Sequence, residues 1–235
     1  MTELNIIIPV FNEAENFPRV YRSIKERVKT THRIFAVYDF DEDTTVPVVQ
    51  ALATKDADLI LVKNTLGRGP LNALKTGFNA VKNGPVLVVM ADLSDDLTDV
   101  DKMVELYRQG FSVVCGSRYI QGGGQMGGPF FKSLLSKFAG ISLFYFRRFP
   151  THDVTNNFKI YDSEFLKTIR IESTMGFSVA MEITVKAFLA GKKIAEVPTT
   201  WHNRTAGKSN FKLWKWLPQY LFWYFFAFQP KRKSM

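Results

Sequence analysis

Polar side chains that could bind a phosphorylated ligand follow four of the short apolar runs in the sequence. Carboxylates bind hard divalent cations, which share their ligand shell with phosphate oxygens, and a guanidinium binds phosphate directly. These side chains are Asn12 and Glu13 after the first run, Asp39, Asp41 and Asp43 after the second, Asp92, Asp95 and Asp96 after a later one, and Ser117, Arg118 and Tyr119 after the last. Single Asp and Asn residues at these places are common in turns and helix caps. Their repetition at four strand ends favours a site for a metal-bridged diphosphate.

The apolar runs and the amphipathic stretches between them indicate an α/β fold. The runs predict buried strands over 5–9, 34–38, 59–62, 86–90 and 112–115, and helical spacing of apolar residues predicts helices over 15–28, 71–81 and 100–109. Continuous Val, Ile and Leu runs between helices are typical of a mostly parallel sheet covered on both faces. Ligands of such sheets sit beyond the carboxyl ends of the strands, so the polar residues above should line one pocket.

Composition narrows the classes of partner. The chain has 235 residues, enough for one sizeable domain, and its net charge of +9 suggests an anionic partner. Its basic residues are not arranged in a nucleic-acid-binding motif, so we expect no nucleic acid. A single cysteine, Cys115, excludes a disulfide framework and fits a reducing compartment. Residues 1–9 lack a basic stretch followed by a long apolar run, so we expect no signal peptide.

Two aromatic segments, 130–149 and 211–228, predict contact with a membrane surface. Both combine apolar bulk with cations at their ends, and neither reaches 18 uninterrupted apolar residues. Aromatic rings prefer the headgroup level and basic flanks attract anionic lipid, which favours helices lying in one leaflet. The alternative is that they form an ordinary core or a dimer interface. Between the predicted sheet and the first segment, residues 121–128 contain five glycines and predict a flexible loop, either a plain linker or one ordered by substrate.

Several motifs, in order, resemble those of family-2 glycosyltransferases. They are IIPVFNEAEN at 7–16, YDFDEDTT at 38–45, the glycine-containing helix start at 69–78, MADLSD at 90–95, GSRY at 116–119, NFKIY at 157–161, GF to Glu182 at 176–182, EVP at 196–198 and RTAGKS at 204–209. The resemblance covers roughly residues 4–211 and is closest to polyprenol- and dolichol-phosphate mannose or glucose synthases. It implies a GT-A (Rossmann-like), mostly parallel sheet with helices on both faces, plus interfacial amphipathic helices.

The resemblance also implies a role for particular residues. It implies that Pro9, Phe11 and Glu13 border the nucleotide base and ribose, and that Asp39 contacts the nucleotide. It implies that Asp92 holds Mg²⁺ or Mn²⁺ against the diphosphate and that Arg118 binds the acceptor phosphate. Arg204 and Lys208, by the same resemblance, close over the diphosphate. The implied partners are a GDP- or UDP-type nucleotide-sugar donor, a lipid phosphate acceptor and an anionic membrane surface. We expect the protein to be peripheral or monotopic at the cytoplasmic face of a membrane.

Two positions depart from the family pattern. Met90 stands where the first aspartate of the Asp-x-Asp metal site is usual, and methionine cannot serve a hard cation as a carboxylate does. Either Asp92 works with water, the diphosphate and Asp95, or metal binding is weak. Tyr38 stands where the family commonly has the first of two aspartates.

The acceptor decides which further residues the chemistry needs. A lipid phosphate is already anionic, so positioning by Arg118 and Lys132 suffices and the sugar inverts in one in-line displacement. A hydroxyl of a lipid-linked saccharide, as in cell-surface polysaccharide synthesis, would need a carboxylate base, for which Glu182 is the candidate. A non-catalytic sugar-nucleotide-binding protein is the remaining reading. We divide the chain into a catalytic domain, 1–211, which includes the interfacial segment 129–149, and a C-terminal membrane-interface segment, 212–235.

Overall fold

The computed structural model describes residues 3–174, 176–203 and 213–231. In chain order the elements are β1 (Leu4–Pro9), α1 (Phe17–Arg27), β2 (His32–Tyr38), α2 (Thr45–Ala53), β3 (Leu59–Lys63), α3 (Pro70–Ala80), β4 (Pro85–Val88), α4 (Val100–Arg108), β5 (Val113–Ser117), β6 (Gly124–Met126), α5 (Phe130–Arg147), β7 (Lys159–Asp162), α6 (Ser163–Thr168), α7 (Val179–Leu189), β8 (Ile194–Pro198), β9 (Thr200–His202) and α8 (Leu213–Phe226). All five predicted strands are present, with ends that shift by one or two residues.

Seven strands form one sheet in the order β3-β2-β1-β4-β7-β5-β8. Neighbours pair in parallel except at β7, which runs antiparallel to both β4 and β5. The predicted mostly parallel sheet is therefore confirmed, with one reversed strand in its interior. Because β1, β2, β4 and β5 point the same way, the loops that follow them meet at one edge of the sheet.

Helices cover both faces of the sheet, as predicted. Alternate residues of β1 point to opposite faces: Ile7 belongs to one buried cluster and Ile6 and Ile8 to the other. The Ile7 side is closed by α3, α7 and α8, and the other side by α1, α2 and α4. Strands covered on both faces are apolar at most positions, which explains why nearly continuous apolar runs mark them in the sequence.

The glycine-rich stretch is more ordered than a plain linker. Its central residues form β6, which pairs in parallel with β9 in a separate two-stranded ribbon. The backbone N–H of Gly124 donates to Thr199 O, and that of Asn203 donates to Met126 O. The expectation of a flexible loop over 121–128 is thus wrong for the three residues of β6.

Helices α5 and α8 leave large apolar side chains exposed. On α5 these are Phe130, Phe131, Leu134, Leu135, Phe138, Tyr145 and Phe146, and on α8 they are Trp214, Leu221, Phe222 and Phe225. The opposite side of α8 packs inward through Trp216 and Trp223. Within the part of the chain that the structure describes, no helix combines the length and the apolar character needed to cross a membrane. The 211/212 boundary expected between the two parts of the chain lies outside the described residues.

One close backbone contact fixes α5 on the domain. Gly140 packs against the turn at 151–153, and a Cβ at this position would lie 1.9 Å from the carbonyl oxygen of His152. Next to the contact, the ring of His152 stacks on Phe144 at 3.7 Å between centroids, and its Nδ1 lies 2.7 Å from Glu196 Oε1. The absence of a side chain at residue 140 therefore sets the position of the helix.

Candidate active site

A cavity of about 1470 Å³ opens at the sheet edge where the carboxyl ends of the parallel strands meet. Eight of the eleven residues predicted for the site line it: Pro9, Phe11, Glu13, Asp39, Asp92, Asp95, Arg118 and Lys132. Arg204 and Lys208 lie outside the described residues. Glu182 does not line the cavity. The strand-end loops supply all of the acidic side chains of its wall, and α5 and α8 supply large apolar side chains together with a few polar ones.

The loop after β1 is held in place by an acid that we had expected in the pocket. Asp43 is buried, and its carboxylate accepts hydrogen bonds from the backbone N–H groups of Asn12 and Thr45 at 2.8–3.1 Å. Asn12 has a φ of 53°, and these bonds stabilise it in that left-handed conformation. Asp41 turns away to form an exposed ion pair with Lys63. Of the three acids after β2, Asp39 is the one that lines the cavity.

Asp39 organises the end of the cavity where we expect the nucleotide. Its two carboxylate oxygens accept hydrogen bonds from Asn64 Nδ2 at 2.7 Å and from the backbone N–H of Gly69, which precedes α3, at 2.8 Å. An aromatic pair stands beside it: Phe11 and Phe40 meet edge to face at 5.7 Å, and the guanidinium of Arg68 lies 4.7 Å from the Phe40 ring. This end therefore offers an aromatic surface and one cation around a fixed carboxylate.

Two carboxylates that follow β4, those of Asp92 and Asp95, form an acidic pair in the cavity wall. Asp92 is nearly buried and accepts from the backbone N–H of Ser94 at 3.2 Å. Asp95 accepts from the backbone N–H of Met90 at 2.8 Å, and burial, together with the charge of Asp92, raises the pKa of Asp95 to about 7. Asp96 pairs with Arg27 instead.

These residues fit a divalent ion that is completed by substrate. The described residues contain no cluster of three or more acidic, His or Cys side chains suited to a metal. Mg²⁺ is commonly bound by one or two carboxylates plus substrate phosphates, and two carboxylates that repel each other gain from a cation between them. Asp92 and Asp95 are therefore the residues that would hold an ion shared with a diphosphate, whereas Met90 contributes its backbone N–H to the loop.

Arg118 is a nearly buried cation that lines the same cavity as these two acids. Its Nε and Nη2 donate to the two oxygens of Asp153 at 2.6 and 2.9 Å, and Nη2 also donates to Ser136 Oγ at 2.9 Å and Thr155 Oγ1 at 3.2 Å. Its Nη1 lies 3.4 Å from Gln125 Oε1. Burial opposes the charged forms, but the attraction between Arg118 and Asp153 outweighs it: the pKa of the arginine is raised and that of the aspartate is lowered. Arg118 thus stays cationic although its side chain is only 9% exposed.

Helix α5 adds three polar side chains to the cavity wall, and one of them, Ser136, contacts Arg118. Lys132, Ser133 and Ser136 all line the cavity, and Ser136 Oγ also accepts from the Tyr119 hydroxyl at 2.9 Å. Lys132 and Ser136 are four residues apart and therefore share a helix face, a spacing from which Ser136 could have been predicted. Asp153 gave no such signal, because its contact with Arg118 joins positions 35 residues apart.

Glu182 occupies a structural position, which corrects its expected place at the acceptor. It is fully buried on α7, and its oxygens accept from the backbone N–H groups of Glu172 and Ser173 and pair with Lys186 Nζ at 2.7 Å. Ser173 Oγ in turn accepts from Trp223 Nε1 at 3.0 Å. The carboxylate therefore fixes the segment before α7 and, through it, α8.

The far end of the cavity is apolar. Its wall is formed by α5 and α8, from which Leu135, Phe138, Leu217, Leu221 and Phe225 contribute side chains. The two helices are joined by a contact of 3.0 Å between Ser142 Oγ and the Tyr224 hydroxyl. Leu135, Phe138, Leu221 and Phe225 are also exposed, so this wall continues onto the apolar outer surface of the helices.

With this fold and this site, the chain is a glycosyltransferase of the GT-A fold. It belongs to Glycosyl transferase family 2, whose profile matches residues 5–170. The same fold recurs in a crystal structure of glucosyl-3-phosphoglycerate synthase from Mycobacterium tuberculosis with Mn²⁺, UDP and glucosyl-3-phosphoglycerate. That likeness has a TM-score of 0.65 and 16% identity and covers 94% of this chain and 76% of the other.

Two relatives are similar over most of this chain. A dolichol-phosphate mannosyltransferase from Pyrococcus furiosus is 30% identical over 216 residues, 89% of this chain. The present chain spans only 59% of the length of that protein. A polyprenol monophosphomannose synthase from Mycolicibacterium smegmatis is 29% identical over 210 residues, which are 87% of this chain and 79% of the relative.

Proposed function

We propose that this glycosyltransferase moves a hexose of the mannose or glucose type from a GDP- or UDP-linked donor to the phosphate of a polyprenyl or dolichyl lipid at a membrane surface. One observation carries the proposal: the nearly buried cation Arg118 lines the same cavity as apolar side chains of α5 and α8, and it contacts α5 through Ser136. A lipid phosphate has the same division, with a charged head and an apolar chain. The names of the two relatives support this class of acceptor.

The acceptor phosphate needs little activation in this site. The second pKa of a phosphate monoester is about 6, so its oxygen is already a nucleophile at neutral pH. Arg118 and Lys132 would hold it and offset its repulsion from the diphosphate. Arg118 keeps its orientation because Asp153 binds two of its nitrogens, which leaves the phosphate to compete for Nη1 and for the hydroxyl of Ser136.

Transfer then requires one displacement. An oxygen of the acceptor phosphate attacks the anomeric carbon as the bond from that carbon to the diphosphate breaks, and the electron pair leaves with the nucleotide diphosphate. A Mg²⁺ or Mn²⁺ ion, when bound, would neutralise charge on the departing diphosphate. Asp92 and Asp95 are the residues that would hold it. The Mn²⁺ in the similar synthase structure supports the use of a divalent ion. Pro9, Phe11, Glu13 and Asp39 would border the nucleotide.

A hydroxyl acceptor is less well supported. It would need a carboxylate base within reach of the reacting oxygen. Glu182 was the candidate, and its oxygens are occupied by two backbone N–H groups and Lys186 away from the cavity wall. The geometry therefore favours an acceptor that brings its own negative charge.

The exposed apolar faces of α5 and α8 support docking on one leaflet. Monomeric proteins rarely expose so many large apolar side chains together, and such patches mark interaction surfaces. Cationic side chains stand among them, including the exposed Lys137, Arg148 and Lys215. We place the enzyme at the cytoplasmic face, in keeping with a single cysteine that is buried and free.

A screen of donors against a short polyprenyl phosphate tests the proposal. GDP-mannose, GDP-glucose, UDP-glucose and UDP-mannose are each incubated with the lipid phosphate, with Mn²⁺ and with chelator, and the products are identified by mass spectrometry. We expect a glycosyl phosphoryl polyprenol from at least one donor, and the same lipid with a free hydroxyl end to be inert. Glycosylation of a lipid-linked saccharide but of no lipid phosphate would favour the hydroxyl reading. Donor binding with no product from either would indicate a binding protein without turnover.

A further inference from the structure

Trp201 on β9 is tied to the acidic loop of the active site. The residue forms an antiparallel bridge with Asp95, and the backbone N–H of the next residue, His202, donates to Ser94 O at 2.9 Å. The position of Trp201 is therefore set by the same loop that carries Asp92 and Asp95.

The other edge of β9 ties Trp201 to the cationic part of the site. In the β6–β9 ribbon, Trp201 is paired in register with Gln125. The side chain of Gln125 bonds to Ser133 Oγ and lies 3.4 Å from Nη1 of Arg118. The short strand β9 is thus connected both to the loop that carries Asp92 and Asp95 and, through Gln125, to Arg118.

Trp201 lines the cavity, as do its backbone partners Asp95 and Gln125. One side of the ring is packed by Gly128, where a Cβ would lie 3.0 Å from the ring, and Gly128 has a φ of 90°, which further disfavours any larger residue. Lys132 Nζ lies 6.0 Å from the ring centroid, at the limit of a cation–π contact. The ring is thus held in one place and is not fully buried.

The chemistry of transfer places the moving sugar near this ring. The anomeric carbon must lie between the diphosphate, at Asp92 and Asp95, and the acceptor phosphate, at Arg118 and Lys132. The backbone of Trp201 bridges to Asp95, and its partner in the ribbon, Gln125, lies 3.4 Å from Nη1 of Arg118. A rigid aromatic surface can bury the C–H face of a hexose. We propose that Trp201 packs against the transferred hexose and positions it for attack, an inference that rests on the proposed function. It is a positioning and specificity residue for the sugar, separate from those that hold the phosphates.

The test compares binding of each nucleotide diphosphate with that of its sugar conjugate. Calorimetry with GDP and GDP-mannose, and with UDP and UDP-glucose, gives the gain in affinity due to the sugar. We expect Trp201→Ala to lose about tenfold of that gain while its affinity for the bare diphosphate stays unchanged, and Trp201→Phe to keep most of it. In the transfer assay the donor KM of Trp201→Ala should rise, and the acceptor KM should not.

Trp214→Ala is the matched control for donor binding, because that indole is 80% exposed on α8 and does not line the cavity. An unchanged sugar gain in Trp201→Ala would overturn the inference, and so would equal losses for the diphosphate and its conjugate. Trp201→Phe, with its melting temperature measured alongside, keeps the test decisive if the alanine variant does not fold. Absence of binding to all four nucleotides by the unsubstituted protein would refute the proposed function instead, so the two failures are distinguishable.

Discussion

Arg118 and Asp153 form a two-point ion pair in which both side chains are almost entirely buried: Nε donates to one carboxylate oxygen at 2.6 Å and Nη2 to the other at 2.9 Å. The backbone N–H of Arg118 donates to the same carboxylate at 3.1 Å. The planar fork of arginine matches a carboxylate in this way, and lysine cannot replace it at such a site. The geometry of the cation that we assign to the acceptor phosphate therefore depends on one neighbouring acid.

Asp153→Asn should destabilise the fold at neutral pH, and the effect should shrink in acid. The folded-state pKa of Asp153 lies below its usual value of 3.8, so the carboxylate stabilises the fold above that value and loses this contribution as the pH falls through the folded-state pKa. We expect a loss of about 3 kcal/mol at pH 7, because one partner of a buried pair is left without its counter-charge.

Melting temperatures measured from pH 7 to below pH 3.8, and on to the lowest pH at which the protein stays folded, measure this effect. The curve of the variant should be flatter than that of the unsubstituted protein, and two parallel curves would contradict the assignment. Asp41→Asn is the matched control, because Asp41 is exposed and paired with Lys63, and exposed ion pairs contribute little to stability.

Arg118→Ala should abolish transfer while leaving donor binding intact. The Arg118 side chain lines the cavity away from the end at which we expect the nucleotide. Its loss therefore removes the group that positions the acceptor phosphate. We expect the transfer rate to fall by at least about 10²-fold, the scale seen when one preorganised charge-stabilising donor is removed. Single-turnover transfer and donor calorimetry measure the two effects.

Arg118→Lys separates charge from geometry. It keeps a cation near Asp153 but lacks the two-point contact, so it should remain folded and transfer slowly. Weakened donor binding with an unchanged acceptor constant in either variant would refute the assigned role.

Asp92→Asn should remove the dependence of transfer on divalent ions. An amide is a weaker ligand than a carboxylate for a hard cation, so activity should be low and should no longer rise with added Mn²⁺. Rates across a Mn²⁺ titration measure this. Asp96→Asn is the control, since Asp96 pairs with Arg27 outside the cavity. Full activity of the unsubstituted enzyme in chelator would defeat the metal assignment.

Glu182→Gln should lower stability and largely spare catalysis. The substitution weakens the bonds to two backbone N–H groups and removes the charge that pairs with Lys186, which we expect to cost about 2 kcal/mol of unfolding free energy. Denaturant unfolding gives the stability and kcat at low temperature gives the catalysis. If the variant is as stable as the parent and inactive, Glu182 is a general base and the acceptor is a hydroxyl.

Phe131→Ser and Trp214→Ser should each weaken binding to anionic liposomes. Both side chains are more than two-thirds exposed, on α5 and α8 respectively, and burial of either in the interface is favourable enough for an effect of about tenfold. Sedimentation with vesicles of anionic phospholipid, at low and high salt, measures the binding, which salt should also weaken. Leu66→Ser is the control, an exposed apolar residue outside both helices. Equal binding by all three variants would mean that these faces meet another surface.

The sheet could be predicted because strands buried on both faces carry their signal in every residue, as in the run Ile6, Ile7 and Ile8. Helix α2 escaped prediction: its sequence, TVPVVQALA, is rich in β-branched residues, yet Asp43, which precedes the helix, accepts from the backbone N–H of its first residue, Thr45. The reversed strand β7 is four residues long and pairs with two strands distant in sequence. Local patterns do not carry such pairings.

Most of the candidate site followed from the motifs and from the rule that parallel strands bring their ends together. The partners of those residues did not. Asp153 and Gln125 act through contacts with Arg118 that only the folded chain creates. Glu182 matched a motif position, but the sequence could not say that its oxygens would be used by the backbone of Glu172 and Ser173. Arg204 and Lys208 stay predictions.

The close packing of Gly140 on the carbonyl of His152 has a mechanical consequence. Helix α5 cannot slide without moving the turn that carries Asp153. On a membrane, as proposed, the depth of the helix in the leaflet would therefore also fix the height of Arg118 above the lipid tails. A phosphate anchored at headgroup depth is then delivered at high local concentration, whereas the same group in free solution has no such advantage. We expect Gly140→Ala to move the helix away from the turn and so to remove that advantage, although the substitution changes no charged residue.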